Sequence, residues 1–228
     1  MKILTVVVIS LSAFATKVMA TDVCSLETLR IPMQTQPANF ITIGEPGVIF
    51  DAKRIPFKDI TEALISLQNL IDNGQCSVKV QACSMKSERH FKDKLPRHFV
   101  IIGKQQVLVS SIGEGLTVLD TLTEKGICQK KVADCKVTSF RENPLDEPEA
   151  YVIVNANHWI SLSHPAEAAN IIMELGNRGM CQITSEICSQ KVDYDGYHLE
   201  IGKRELIHKT QVESDRSLSD LKNIGLCR

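Results

Sequence analysis

The sequence lacks the motifs that identify the common enzyme classes. It has no Gly-x-Ser-x-Gly elbow, no His-Glu-x-x-His, no Gly-x-Gly-x-x-Gly after a strand and no Walker A loop. The segment 111–115 is rich in glycine but lacks the lysine of a phosphate loop, and a helix N-terminus explains it better. The six histidines do not have the spacing of metal ligands. We therefore expect no cofactor and no metal, and we name no catalytic residue.

The sequence also lacks a large net charge and a long apolar run. The formal net charge of −1 gives no reason to expect binding to nucleic acid or to an acidic membrane surface. The apolar run at 3–15 is shorter than the ~20 residues of a membrane span. Because Lys2 precedes it and Val18 and Ala20 follow it at the −3 and −1 sites, residues 1–20 are predicted to be a secretory signal peptide, with a membrane anchor as the alternative. We expect the mature chain to be secreted or periplasmic and to have no membrane span.

Cysteine is present in a regular pattern. There is no Cys-x2-Cys pair, which argues against zinc-ribbon and thioredoxin-like redox sites. Instead, Cys-x6-Cys occurs three times, between one cysteine near each end of the mature chain. The eight cysteines are Cys24, Cys76, Cys83, Cys128, Cys135, Cys181, Cys188 and Cys227. In a secreted protein they are expected to form disulfides rather than to act as nucleophiles.

The cysteines divide the chain into four segments with the same internal order. We interpret them as tandem units of about 50 residues, at 21–82, 83–134, 135–187 and 188–228. In each unit a glycine or asparagine lies between two apolar runs rich in β-branched residues, which predicts a β-hairpin. The turn residues are Gly44, Gly103, Asn155 and Gly202. The second runs begin at Val48, Val107, Trp159 and Leu206.

A helix is predicted after each hairpin. Its start is marked by a capping residue, at Asp59, Ser111, Ser163 and Ser217. Its end is marked by a glycine two residues before a cysteine, at Gly74, Gly126, Gly179 and Gly225. Apolar residues nine and six positions before that cysteine are expected to face the sheet: Leu67, Leu70, Leu119, Leu122, Ile172, Leu175, Leu218 and Leu221. We expect the last helix to be the shortest and most polar, as in a terminal cap.

The Cys-x6-Cys segment is interpreted as a third strand, because Val78, Val80 and Ala82 alternate with polar residues. The predicted fold is therefore α+β, with four tandem β-hairpin–helix–strand units. Residues seven apart in a strand are separated by ~23 Å, whereas a disulfide requires Cα atoms within ~7 Å. The favoured pairing closes each unit on itself: Cys24–Cys76, Cys83–Cys128, Cys135–Cys181 and Cys188–Cys227. The rival scheme has three local Cys-x6-Cys bridges in turns and a Cys24–Cys227 bridge.

The third unit differs most at its hairpin, which contains His158 and the only tryptophan, Trp159. Trp159 aligns with Val48, Val107 and Leu206, which favours a large core residue. A tryptophan that stacks on a ligand beside the turn is the alternative, and it makes His158 and Trp159 candidate ligand-binding residues. A basic loop at 87–98 and an acidic loop at 140–149 occupy the same position in adjacent units. They are interpreted as surface loops, or alternatively as a partner-contact site.

These patterns favour a non-catalytic secreted or periplasmic protein that binds a protein partner or has a structural role. Tandem copies of one unit supply the same residues several times, whereas a catalytic site needs different residues in different roles. One alternative is an inhibitor of an extracellular enzyme, with 87–98 as its reactive segment. Another is a hydrolase or cell-wall enzyme whose site is of an unrecognised type.

Overall fold

The computed structural model describes residues 22–29, 38–44, 53–88, 96–141, 149–155 and 158–228. The predicted signal peptide, the run at 48–50 and the centres of the loops at 87–98 and 140–149 lie outside the described residues. Among the described residues, no helix is both long and apolar enough to cross a membrane.

The described chain is α+β, as predicted, with four α-helices and several small sheets. The strands are β1 (Cys24–Leu29), β2 (Ala38–Ile43), β3 (Lys53–Phe57), β4 (Gln81–Glu88), β5 (Arg97–Ile102), β6 (Gln105–Val109), β7 (Cys128–Lys130), β8 (Ala133–Asp134), β9 (Lys136–Phe140), β10 (Glu149–Asn155), β11 (His158–Leu162), β12 (Cys181–Gln182), β13 (Cys188–Asp193), β14 (Gly196–Ile201) and β15 (Arg204–His208). The helices are α1 (Ile60–Asp72), α2 (Ile112–Glu124), α3 (Ala168–Asn177) and α4 (Gln211–Asn223), and a 3₁₀ turn at Pro165–Glu167 precedes α3.

A group of three antiparallel strands precedes each α-helix. The groups are β1-β2-β3 before α1, β4-β5-β6 before α2, β9-β10-β11 before α3 and β13-β14-β15 before α4. In each group the second strand is central and pairs with both others. We refer to these groups as the first to fourth sheets.

The predicted hairpins correspond to the second and third strands of each sheet. Gly103 and Gly202 both have a φ of +59° in the turns, a conformation that glycine adopts without steric cost. In the first sheet, β2 pairs with β1 on one side and with Lys53–Phe57 on the other, while the predicted run at 48–50 lies outside the described residues.

Helices α1 and α2 are capped by the residues predicted from the sequence. The side chain of Asp59 accepts a hydrogen bond from the Thr61 backbone N–H, and Ser111 accepts one from Glu114. All four predicted terminal glycines have positive φ, between +65° and +81°. In the third segment the capping side chain is His164, which accepts from the Ala166 N–H, rather than Ser163.

The predicted start of α4 at Ser217 is wrong. Thr210 and Glu213 form a reciprocal capping box upstream of Ser217, so the helix begins at Gln211. It has 13 residues, as α1 and α2 do, whereas α3 has 10. The expectation that the last helix is the shortest is therefore also wrong.

The interpretation of Cys-x6-Cys as one strand is wrong as well. Only the stretch around the second cysteine of each motif is a strand, and it is the first strand of the sheet that follows: β4, β9 and β13 each begin within two residues of that cysteine. The motif itself pairs in parallel at its two ends with different parts of the chain. Gln81–Cys83 pair with Cys128–Lys130, and Ala133–Asp134 pair with Cys181–Gln182. Single bridges join Val23 to Ser77 and Glu186 to Cys227.

The predicted disulfide pairing is confirmed and the rival scheme is contradicted. The bonds are Cys24–Cys76, Cys83–Cys128, Cys135–Cys181 and Cys188–Cys227. Their Cα atoms lie 5.3 to 5.6 Å apart, and no cysteine is free. Each bond lies beside a parallel bridge, so the start of each sheet is tied to the end of the helix that follows it.

The four sheets lie edge to edge in a row. β1 lies beside β6, β4 beside β11 and β9 beside β15. The helices cover one side of this row, since α1, α2, α3 and α4 contact the central strands β2, β5, β10 and β14. Helix α1 contacts α2, α3 contacts α4, and the Arg178 Nε at the end of α3 lies 2.7 Å from an Asp120 carboxylate oxygen of α2.

The core lies between the sheets and the helix layer. Each central strand contributes at least one side chain with no exposed surface to this core: Ile41, Val100, Val152, and both Leu199 and Ile201. The predicted helix stripe meets them, with Leu119, Leu122, Ile172, Leu175 and Leu221 fully buried, Leu67 1% exposed, and Leu70 and Leu218 partly buried. The burial of these apolar side chains is the main stabilising contribution to such a fold.

Removing one disulfide is expected to destabilise the protein without changing its topology. Replacing both Cys188 and Cys227 by serine opens a loop with a sequence separation of 39 residues. We expect the free energy of unfolding to fall by about 2 to 4 kcal/mol, because the unfolded chain gains conformational freedom. Urea unfolding of the double variant and of the parent measures this. A Cys76–Cys83 bridge found by peptide mapping without reduction, or an unchanged free energy of unfolding, contradicts the assignment.

Candidate binding surface

The strands have a second face on the side opposite the helices, which we call the open face. Part of this face is exposed, and part of it, such as Thr42 and Ser161, is buried. In β4, Met85 points toward α2, where its Cε would lie 2.5 Å from a Cβ placed on Gly115. Because side chains alternate along a strand, Ser84 and Lys86 point to the open face. Phe99, which is opposite Lys86 on β5, shares that face.

Four open-face side chains of the second and third sheets form what we call the aromatic patch: Lys86, Phe99, Tyr151 and Trp159. The Lys86 Nζ lies 5.9 Å from the centroid of the Phe99 ring. The rings of Tyr151 and Trp159 meet edge to face, with centroids 5.9 Å apart and planes at 75°. Since β4 lies beside β11, the two pairs occupy neighbouring sheet surfaces.

Trp159 is 48% exposed, so the expectation that it is a core residue is wrong. In the second sheet Val100 is opposite Val107, but in the third sheet the equivalent Val152 is opposite Ile160. The register shifts between Ile153 and Asn155, which displaces β11 by one residue. A shift of one residue moves a side chain to the other face of a sheet. Ile160 thereby takes the buried position, and Trp159 turns outward.

His158, the second candidate from the sequence, lies at the junction between the second and third sheets. Its Nδ1 is 2.5 Å from the Ser84 Oγ, and Ser84 is buried. Burial, followed by the nearby charge of Lys86, lowers the pKa of His158. A neutral His158 bonded to a buried serine joins β11 to β4 and orients the strand that carries Trp159. The structure therefore gives His158 a supporting position on β11, next to Trp159 in sequence, rather than a place in the aromatic patch.

The polar groups around the patch are paired with one another. Tyr151 donates its hydroxyl hydrogen to Glu149, and the Lys86 ammonium lies 2.5 Å from a Glu88 carboxylate oxygen. These pairs hold the side chains on a rigid sheet surface and provide charges of both signs around the rings. Such a surface can stack on and hydrogen-bond to a partner. Sequence reasoning did not identify Lys86, Phe99 and Tyr151. The usable signal was that the apolar run before the turn begins with an aromatic residue in the first three units, at Phe40, Phe99 and Tyr151.

A cavity of about 760 Å³ opens at the other edge of the second sheet, where β1 and β6 diverge. Its lining includes three amide side chains, one acid and one base, together with smaller and apolar residues: Glu27, Thr28, Leu29, Gln81, Gly103, Lys104, Gln105 and Gln106. Among the described residues, the lining contains no histidine or cysteine.

The fourth sheet carries two histidines at positions that are aromatic or apolar elsewhere. His198 lies between Glu205 and Asp195, with each carboxylate oxygen 2.9 Å from one ring nitrogen. Burial by itself lowers the pKa of His198, but the hydrogen bonds to Glu205 and Asp195 outweigh it and raise the pKa. Arg141, from the end of the third sheet, lies 3.2 Å from Asp195.

His208 differs from His198 in its hydrogen bonding and in the direction in which its pKa is shifted. It is 2% exposed, and neither ring nitrogen has a hydrogen-bond partner among the described residues. Burial lowers its pKa to about 4, against the opposing charge of Glu213 and with a smaller contribution from His164. By strand register it occupies the place of Val109 and Leu162. His208 is thus a neutral side chain in an apolar core position.

No group of three or more metal-binding side chains is present in the part of the chain that the structure describes. Comparisons of the chain with protein-family models, with curated proteins and with solved structures find no match. The surface geometry is therefore the basis for a functional conclusion.

The exposure of Trp159 can be measured directly, because it is the only tryptophan. We expect iodide to quench the fluorescence of the native protein strongly, and the emission to be red-shifted relative to that of a buried indole. The fully unfolded protein provides the upper reference for quenching. A native emission that is blue-shifted and resists iodide contradicts the outward orientation of Trp159.

His208 is expected to make stability depend on pH. Its folded-state pKa of about 4 lies below the ordinary value of 6.5. The folded state is therefore fully stable above pH 6.5 and loses stability as the pH falls toward 4, because the unfolded chain binds the proton more readily. We expect His208→Leu, which introduces the side chain found at Leu162, to remove up to about 3 kcal/mol of this loss. Urea unfolding of both proteins from about pH 7.5 to about pH 4 measures it, and curves that fall in parallel contradict the assignment.

Proposed function

We propose that this chain is a non-catalytic secreted or periplasmic protein, built from four tandem units, that binds a protein partner through the aromatic patch. Each unit would consist of a three-stranded sheet, a helix and one disulfide. This revises the unit predicted from the sequence, in which the third strand came last.

The tandem interpretation is supported by contacts that recur at equivalent places. In three sheets the turn glycine donates its N–H to the carbonyl of the residue just before the first cysteine. These bonds are Gly44 to Val23 at 2.9 Å, Gly103 to Ala82 at 2.9 Å and Gly202 to Ile187 at 3.0 Å. The disulfide and the parallel bridge recur at the same places. Independent origins for so many shared local contacts are less economical than copies of one unit.

The oxidising compartment is supported by the pairing of all eight cysteines. Disulfides persist in secreted and periplasmic proteins and are rare in reducing compartments. A structural role for the cysteines also leaves none as a nucleophile or metal ligand.

The observation that carries the binding proposal is the edge-to-face contact of the exposed Trp159 with the partly buried Tyr151 on the open face. A half-exposed tryptophan is costly to leave in water, and tryptophan and tyrosine dominate the binding energy of protein interfaces. The pair lies on strands of a disulfide-tied sheet, so a partner would dock without ordering a loop. The open face is a sheet surface rather than a deep pocket, which favours a macromolecule over a small ligand.

The proposal is tested by immobilising the parent and two alanine variants and comparing the proteins that each of them captures. Trp159→Ala removes the centre of the patch, whereas Tyr194→Ala removes an aromatic that is 94% exposed in the turn between β13 and β14. Extracts of the extracellular or periplasmic fraction of the source organism are passed over each immobilised protein. A partner that the parent and Tyr194→Ala capture should be lost from Trp159→Ala.

The captured protein is then titrated against each variant. Removing an interface hot spot costs about 2 kcal/mol or more, so we expect Kd to rise roughly 30-fold or more for Trp159→Ala. Equal affinity of the parent and Trp159→Ala for that partner would place the interface elsewhere. Detected turnover of a substrate would instead favour the enzyme alternative. The described residues contain no observation that favours the inhibitor or the hydrolase over this proposal.

A further inference from the structure

The same pair of edges meets at every junction between neighbouring sheets. The first strand of one sheet lies beside the third strand of the next, at β1–β6, β4–β11 and β9–β15. The row therefore grows in one direction, with each sheet offering two different edges. Two edges remain at its ends, because in the described structure β3 pairs only with β2, and β13 pairs only with β14.

At two of these junctions, a hydrogen bond from a backbone N–H to a side-chain hydroxyl group joins the two strands at equivalent positions. At β1–β6, the Thr28 Oγ1 accepts from the Leu108 N–H at 2.7 Å. At β9–β15, the Ser139 Oγ accepts from the Ile207 N–H at 3.1 Å. The remaining junction, next to the register shift in the third sheet, is joined by Ser84 and His158 instead.

Strand register shows that the two bonds are the same contact. Both acceptors lie on the first strand, four residues after its cysteine: Thr28 follows Cys24 and Ser139 follows Cys135. Both donors lie on the third strand, directly after its buried core residue. Leu108 is opposite Phe99, and Ile207 is opposite His198.

Each free edge of the row lacks the group that it would contribute to this bond: β13 lacks the acceptor and β3 lacks the donor. On β13 the position four residues after Cys188 is Val192, which has no hydroxyl group. On β3 the residue opposite Phe40 is Pro56, which has no backbone N–H to donate. Val192 is 67% exposed, and the adjacent Lys191 and Asp193 form an ion pair at 3.1 Å on the same strand.

We propose that Pro56 and Val192 terminate the row, so that a second copy of this chain cannot dock its β3 edge on the β13 edge of the first. Such docking is head-to-tail and does not close on itself, so it leads to open chains of molecules. Proline and charged residues on an edge strand are established means of preventing edge pairing. The inference rests on strand register and hydrogen-bonding groups, and it stands apart from what the aromatic patch binds.

The test restores the missing groups one end at a time. Pro56→Leu introduces the residue found at Leu108, and Val192→Ser introduces the residue found at Ser139. The parent, each single variant, their equimolar mixture and the double variant are compared by size-exclusion chromatography with light scattering. Circular dichroism verifies that each protein is folded.

We expect the parent and each single variant to be monomeric. The equimolar mixture should give a one-to-one dimer, because each Val192→Ser molecule carries one restored acceptor edge and each Pro56→Leu molecule carries one restored donor edge. The double variant should form longer species that grow with concentration, with an association constant at least roughly tenfold above that of the parent. A control that combines Pro56→Leu with Val192→Ala lacks the hydroxyl group and should remain monomeric.

Three outcomes overturn the proposal. One is end-to-end association of the parent at the same concentration. Another is a folded double variant that stays monomeric across the full concentration range. The third is association of the Val192→Ala control as strong as that of the double variant, which would show that the hydroxyl group does not decide docking.

Discussion

Every sheet of this protein is joined to the helix that follows it by a disulfide and a parallel backbone bridge that lie side by side. In the first sheet, for example, Cys24 is bonded to Cys76 while Val23 pairs with Ser77. The covalent bond restricts the unfolded chain, and the backbone bridge satisfies polar groups that would otherwise be buried without partners. This combination of one disulfide and one parallel bridge, which we call a clasp, fixes where each sheet begins relative to its helix. The helix layer, the core and the edge-to-edge order of the sheets all depend on that placement.

A fold held in this way leaves the side of the sheets opposite the helices partly exposed. The helices and disulfides stabilise the molecule from the opposite side, so open-face residues can vary with little effect on the core. Trp159 is the clearest case, because one extra residue in its hairpin turned a core position into a surface position while Ile160 filled the core. The fourth sheet varies differently, since His198 and His208 introduce titratable groups where the other sheets have aromatic or apolar side chains.

The features predicted correctly from the sequence are those set by local chemistry. Turn glycines such as Gly103, caps such as Ser111 and terminal glycines such as Gly126 each depend on a few neighbouring residues. The disulfide pairing was correct although the strand assigned to Cys-x6-Cys was not, because the two cysteines of the motif do serve different sheets. The strand Cys188–Asp193 was missed because it is almost entirely exposed and carries no apolar alternation. The orientation of Trp159 depends on a register shift that residue spacing alone does not reveal.

The clasps also decide how the chain would respond to a protease. A cut at any loop within a sheet–helix segment leaves both fragments covalently attached, since the disulfide encloses the segment from end to end. A cut inside a Cys-x6-Cys link instead releases whole segments from one another. The links are short and their ends are engaged in parallel pairing, but residues between those ends are exposed, with Val80 63% and Val132 58% exposed. A protease that reaches a link would therefore separate the segments, whereas one that reaches only the loops would not. A molecule cut only within its loops would therefore keep its full mass, and reduction of the disulfides would be needed to release the fragments.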